Sequence, residues 1–132
     1  MGNLWSGTGT LLATATFTNE TASGWQQVTL PTPVPITANT TYVASYHTNV
    51  GRYAADSSYF ASSGVTNGPL AALANSVTPN GVYLYGSGGF PSQTWNATNY
   101  WVDVVFNTTS PPDTTPPTVT AVSPTRDRKS VV

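Results

Sequence analysis

Apolar and polar residues alternate in short runs along this chain, and each run is closed by Gly, Pro or Asn. That punctuation favours many short strands and few helices. The clearest run is Asn99-Tyr100-Trp101-Val102-Asp103-Val104-Val105-Phe106. Side chains alternate across a strand, so Val102, Val104 and Phe106 are expected on a core face, with Trp101, Asp103 and Val105 opposite. Further candidate strands are Leu11 to Thr18, Trp25 to Leu30, Thr41 to His47, Arg52 to Phe60 and Gly81 to Tyr85. Only Pro69 to Asn75 has helical character, with Pro at a first helical position and Leu70 and Leu73 on one side. The fold class expected is all-β: an antiparallel β-sandwich, jelly-roll-like, in which two sheets bury their apolar faces against each other.

The last run passes directly into Thr108-Thr109-Ser110-Pro111-Pro112-Asp113-Thr114-Thr115-Pro116-Pro117. A final strand followed by a stiff, hydroxyl-rich segment is the expected end of a module inside a beaded extracellular protein. The module is therefore placed at residues 1–107 and the linker at 108–117. The chain of 132 residues provides one ordinary domain with a tail. The last six residues, Asp127 to Val132, match one reading frame of a common sequencing adapter and are read as non-native. Arg128 and Lys129 are then no basic tail.

Charge excludes several function classes. Only 7% of residues are charged, against a globular norm of about 25%. Before the linker Arg52 is the one Lys or Arg, set against Glu20, Asp56 and Asp103. No basic surface is expected to neutralise phosphates, so nucleic acid is not an expected partner. The absence of cysteine removes disulfides, thiolate metal sites and a Cys nucleophile together. No apolar run has the length of a membrane span, and membrane insertion is not expected. A signal peptide is expected upstream of Met1, which leaves the module secreted or at the cell surface.

Catalytic chemistry has little to work with. His47 is the only imidazole and lacks a nearby nucleophile elbow. Glu20, Asp56 and Asp103 show no spacing that points to a glycosidase pair, and solvated positions are the expectation for them. No enzyme activity and no cofactor are expected, although an intact sandwich offers hard oxygens for a structural calcium. Four Asn-x-Thr sequons, at Asn19, Asn39, Asn96 and Asn107, are read as coincidence in a Thr- and Asn-rich chain.

Several segments together carry a resemblance: Leu4-Trp5-Ser6, Gly9-Thr10-Leu11-Leu12-Ala13, Phe17-Thr18-Asn19-Glu20, Gly24-Trp25-Gln26-Gln27-Val28 and Thr41 to His47. They are followed by Gly51-Arg52-Tyr53, Pro69-Leu70, Asn80-Gly81-Val82-Tyr83 and Asn99 to Phe106. In this order they resemble the bacterial extracellular family called domain of unknown function 4082, over Gly2 to Phe106. The resemblance implies a β-sandwich of the kind found among immunoglobulin-like, fibronectin-like and carbohydrate-active modules, without catalytic residues to carry over. That family pattern begins with strands upstream of Leu4-Trp5-Ser6, so the sandwich is expected to miss its first strands. Unpaired edges, an uncovered core face and weak stability would follow. Asp113 to Pro124 resembles the opening of a bacterial immunoglobulin-like domain, placed at 118–126, and further such domains are expected as neighbours.

Aromatic residues give the functional lead. Trp5, Trp25, Trp95 and Trp101 stand with seven tyrosines in a weakly charged chain. Sugar C–H faces stack on such rings while amides and carboxylates bind hydroxyls. Trp25, Tyr42, Tyr46 and Tyr100 are expected to fill the core. Trp95 and Asn96 lie in the Phe90 to Asn96 loop and are the primary ligand-binding candidates. Tyr53, Tyr59 and Asp103 are secondary. The expected role is noncatalytic and weak, with a polysaccharide or other glycan as partner; the alternative is a ligand-free structural spacer.

Overall fold

The computed structural model describes residues 1–108. The linker from residue 109 onward, the strand expected at 118–126 and the adapter-like 127–132 lie outside the described residues. Among the described residues seven antiparallel strands fall into three sheets. β1 (Gly2–Ser6), β2 (Leu11–Ala15) and β3 (Tyr42–Tyr46) form the largest, in the order β2-β1-β3. β4 (Val65–Asn67) pairs with β5 (Leu70–Ala72), and β6 (Val82–Tyr83) with β7 (Gln93–Thr94). These sheets establish the all-β class without defining a two-layer sandwich.

β1 is the centre of the first sheet because both of its edges are paired. The register to β2 slips between Leu4 and Trp5, which lie opposite Ala13 and Leu11. Such a bulge increases local twist and re-aims a side chain. Trp5 is buried, donates its indole N–H to Ser45 Oγ at 2.9 Å, and meets Phe90 edge-to-face at 5.8 Å. Ala15 is also buried, opposite Gly2 in the register. A second core contains Phe60, Ala97 and Thr98, of which Thr98 is the most buried at 2% exposure.

Several expected elements take other forms. Pro69 to Asn75 is not a helix: Leu70–Ala72 is β5, reached through the two-residue turn Gly68-Pro69. Gly68 has φ +56°, the sign a tight hairpin needs at its first central position, and a seven-residue helix could not overcome its nucleation cost alone. Trp25 to Leu30 forms no strand, because Gln26 closes a local loop instead. Its Oε1 accepts the Thr21 N–H at 2.9 Å, and its Nε2 donates to Thr21 Oγ1 at 2.7 Å. Such local bonding competes with a ladder. Arg52 to Phe60 contributes only the bridge from Asp56 to Asn99.

Tyr100 to Phe106 also pairs with no strand. Trp101 has φ +54°, outside the extended region, and Asp103 Oδ1 accepts its neighbour's N–H, from Val104, at 2.7 Å. The expected alternation holds at Val105, which is far more exposed than Val102, Val104 or Phe106, but not at Trp101, which is as covered as those three. None of these three is buried, however, and the core lies elsewhere. The edge strand β2 exposes Leu11 and Leu12. Beside it an open groove of about 360 Å³ is lined by Leu12 to Thr14 and Pro31 to Pro35. Prolines lack the N–H that would extend the sheet there.

Four tyrosines join distant segments. Tyr100 packs against Tyr53 at 5.7 Å and Tyr83 at 6.2 Å, and Tyr83 against Tyr85 at 5.4 Å. The Tyr53 and Tyr85 hydroxyls share a hydrogen bond of 3.2 Å. That bond holds the Tyr53 phenol above its ordinary ionisation range. Burial raises Tyr100, opposed by hydrogen bonding to Thr98.

A raised phenol binds its proton more tightly in the folded state. The stability it contributes is fully present below about pH 10 and is lost as pH rises through the higher folded value. Ultraviolet titration is expected to show Tyr53 ionising late, and Tyr85→Phe to bring it back down. An unchanged titration in that variant would refute the shared bond.

Two glycines separate conformational strain from packing. Gly68 and Gly81 both have positive φ, but a Cβ at Gly68 meets open space while one at Gly81 collides with the Thr98 carbonyl. Gly68→Ala is expected to cost only the left-handed penalty of about 1–2 kcal/mol. Gly81→Ala must also displace buried backbone and should melt at much lower urea. Equal midpoints would contradict this packing.

Candidate functional site

The segments around residues 56–60 and 95–101 lie antiparallel and carry several exposed aromatic rings. Asp56 and Asn99 exchange both backbone hydrogen bonds at 2.9 Å. Ser58 N–H donates to the Asn96 carbonyl at 2.8 Å, and Phe60 N–H to that of Ala97 at 3.0 Å. Between them Trp95 to Thr98 make a tight turn, closed by Thr98 N–H donating to the Trp95 carbonyl at 3.1 Å. Thr98 Oγ1 donates to the same carbonyl at 2.7 Å. Asn96 and Ala97 both have positive φ, the pattern of a type I′ turn, where Asn is favoured.

Six non-glycine residues among those described have positive φ, and four of them, Ser58, Asn96, Ala97 and Trp101, lie in these two segments. A left-handed tryptophan is rare and costs on the order of 1–3 kcal/mol. Trp101 is held from two sides. Its N–H donates to Asn99 Oδ1 at 2.8 Å, and its indole Nε1–H donates to Asp56 Oδ2 at 3.0 Å.

Rings converge on Trp101. Tyr59 stands 5.6 Å from it at 66°, and Trp25 stands 6.3 Å from it at 77°. Tyr59 also leans on the buried Phe60 at 5.0 Å, which anchors the cluster to the second core. Trp25 is 66% exposed, and Tyr59 and Trp101 retain about two-fifths of their surface. The steep angles make a corner of ring faces with a carboxylate at its edge.

The sequence candidates divide among several places. Tyr59 belongs to this corner. Trp95 is 66% exposed on the adjoining turn, outside these ring contacts, and Asn96 is exposed beside it. Tyr53 lies in the tyrosine joint, which Tyr100 connects to Trp101 along the chain. Asp103 is exposed and turns back on its own backbone.

Trp25 corrects the core expectation: without a strand to seat it, its ring stands in solvent. Tyr42, Tyr46 and Tyr100 are only partly buried, and burial raises the Tyr46 phenol, partly offset by a hydrogen bond with the Ala54 backbone. The sequence expectation of a merely solvated Asp56 misses its part here, fixing the Trp101 indole. Its position between Tyr53 and Tyr59 was the available signal. His47 is occupied through its backbone, its N–H donating to the Met1 carbonyl at 2.8 Å and its carbonyl accepting from the amino terminus at 3.1 Å.

Among the described residues no three His, Asp or Glu side chains gather to hold a metal, and no helix is long and apolar enough to cross a membrane. No curated protein and no solved structure matches the chain. Residues 1–102 match the model of the family described as Domain of unknown function (DUF4082), and the chain belongs to that family.

Proposed function

We propose that this domain is a noncatalytic accessory module of a larger secreted or surface protein, binding carbohydrate weakly through the corner formed by Trp25, Tyr59 and Trp101. The observation that carries this reading is the exposure of Trp25 and Tyr59, each in contact with Trp101, with Asp56 fixed at the Trp101 edge. Exposed aromatic faces supply stacking surface for sugar C–H groups, and the carboxylate supplies an acceptor for hydroxyls. Strain held at Trp101 supports a recognition role, since such conformations gather at ligand sites.

Ring angles of 66° and 77° set the form of the ligand. Three rings so inclined cannot lie together on one flat crystalline face. They suit a single polysaccharide chain, gripped from more than one side. Trp95, on the neighbouring turn, extends the surface along that chain. A thin inventory of acids and bases supports the noncatalytic part, with one imidazole and three carboxylates before the linker.

Amide-correlation NMR with soluble polysaccharides tests the proposal. Saturable shifts should centre on residues 56–60 and 95–101 and on the Trp25 indole. Trp25→Ala, which removes an exposed ring, should raise Kd about tenfold, or about 1.4 kcal/mol, with the fold intact. Trp95→Ala should weaken binding as well. Binding that neither substitution alters would move the site elsewhere. A spectrum that no polysaccharide perturbs would leave the ligand-free spacer as the better account.

A further inference from the structure

We infer that the sugar received at the Trp25–Tyr59–Trp101 corner carries a cationic amine, as in a polymer of de-N-acetylated amino sugars. The inference rests on the carbohydrate reading above and narrows its ligand class. Asp56 is exposed, and its bond to the Trp101 indole uses only one of its carboxylate oxygens. An indole N–H lies in the ring plane, so the carboxylate sits at the edge of Trp101 and leaves the ring faces to other partners. An ammonium group over the ring near Nε1 therefore meets a π-face and a carboxylate together. The favourable range for the first contact is about 6 Å from the ring centroid.

Two neighbouring rings strengthen the site. Tyr59 and Trp25 each meet Trp101 at a steep angle and keep exposed surface of their own, so they add π-surface beside the carboxylate. Their attraction grows as the rings shed water around the ammonium, and neutral hydroxyls gain nothing comparable. The corner is also pre-set, because Asn99 and Asp56 fix the Trp101 backbone and ring before any ligand arrives. Charge agrees: up to the linker, Arg52 is the one Lys or Arg side chain against Glu20, Asp56 and Asp103.

Glucosamine oligomers and N-acetylglucosamine oligomers of equal length, titrated into the full 132-residue chain, separate the possibilities. Indole fluorescence and amide shifts report binding. The glucosamine series should bind at least tenfold more tightly, and raising salt should erode that preference. Asp56→Asn keeps an acceptor for the Trp101 indole and removes the charge, so it should abolish the preference while native amide dispersion persists. Equal binding of both series, or a salt-independent preference retained in Asp56→Asn, would overturn the cation assignment and leave carbohydrate binding standing. If neither series binds, and neutral polysaccharides do not either, both readings fall. The wild-type salt series decides the matter even if the variant fails to fold.

Discussion

Four backbone hydrogen bonds between residues 56–60 and 96–99 hold the aromatic corner of this molecule in position. They link two segments that form no extended strand pair, and each is anchored by an inward residue, Phe60 on one side and Ala97 with Thr98 on the other. The bonds fix the tight turn after Trp95, and that turn leads the chain into the left-handed Trp101. Without them the rings of Tyr59 and Trp101 would have no reason to meet. The aromatic corner is therefore a product of backbone pairing first and of ring packing second.

Elsewhere the molecule is held by small local devices. Among the described residues few apolar side chains are buried, chiefly Trp5, Ala15, Phe60 and Ala97. Apolar burial scales with area, so much of the order must come from satisfied polar groups. Asn80 is representative: its Nδ2 donates to the Leu73 carbonyl at 2.7 Å and its Oδ1 accepts the Gly81 N–H at 2.8 Å, stitching a loop to the entry of β6. Gly81 then packs where only a glycine fits, against Thr98, the residue that closes the Trp95 turn. Loop order, tyrosine joint and aromatic corner thus share one connected path.

Alternation in the sequence carried the all-β class, and β2, β3 and β6 fall inside segments it marked. β1 was missed because Gly2-Asn3-Leu4-Trp5-Ser6 is short and opens with residues of low strand propensity. Its central place comes from pairing on both sides, which no local pattern encodes. β5 was read as helical from Pro and Leu spacing, whereas the Gly68-Pro69 turn decides its form. At the candidate site, Trp95 and Tyr59 were legible as loop and half-exposed aromatics. Trp25 was not, since its fate depends on Gln26 closing a polar loop. The Trp101 backbone was not either, because a left-handed tryptophan follows from its hydrogen-bond partners and not from its own propensity.

The proposed binding role turns on the aromatic corner being rigid in the free protein, and native-state amide hydrogen exchange measures that directly. The amides of Asp56, Ser58, Phe60 and Asn99 should be protected to the same degree as those of β1 at the centre of the main sheet. Exchange at these four positions as fast as in the exposed turn at Gly51 would contradict it, and the aromatic corner would then be an average over mobile loops.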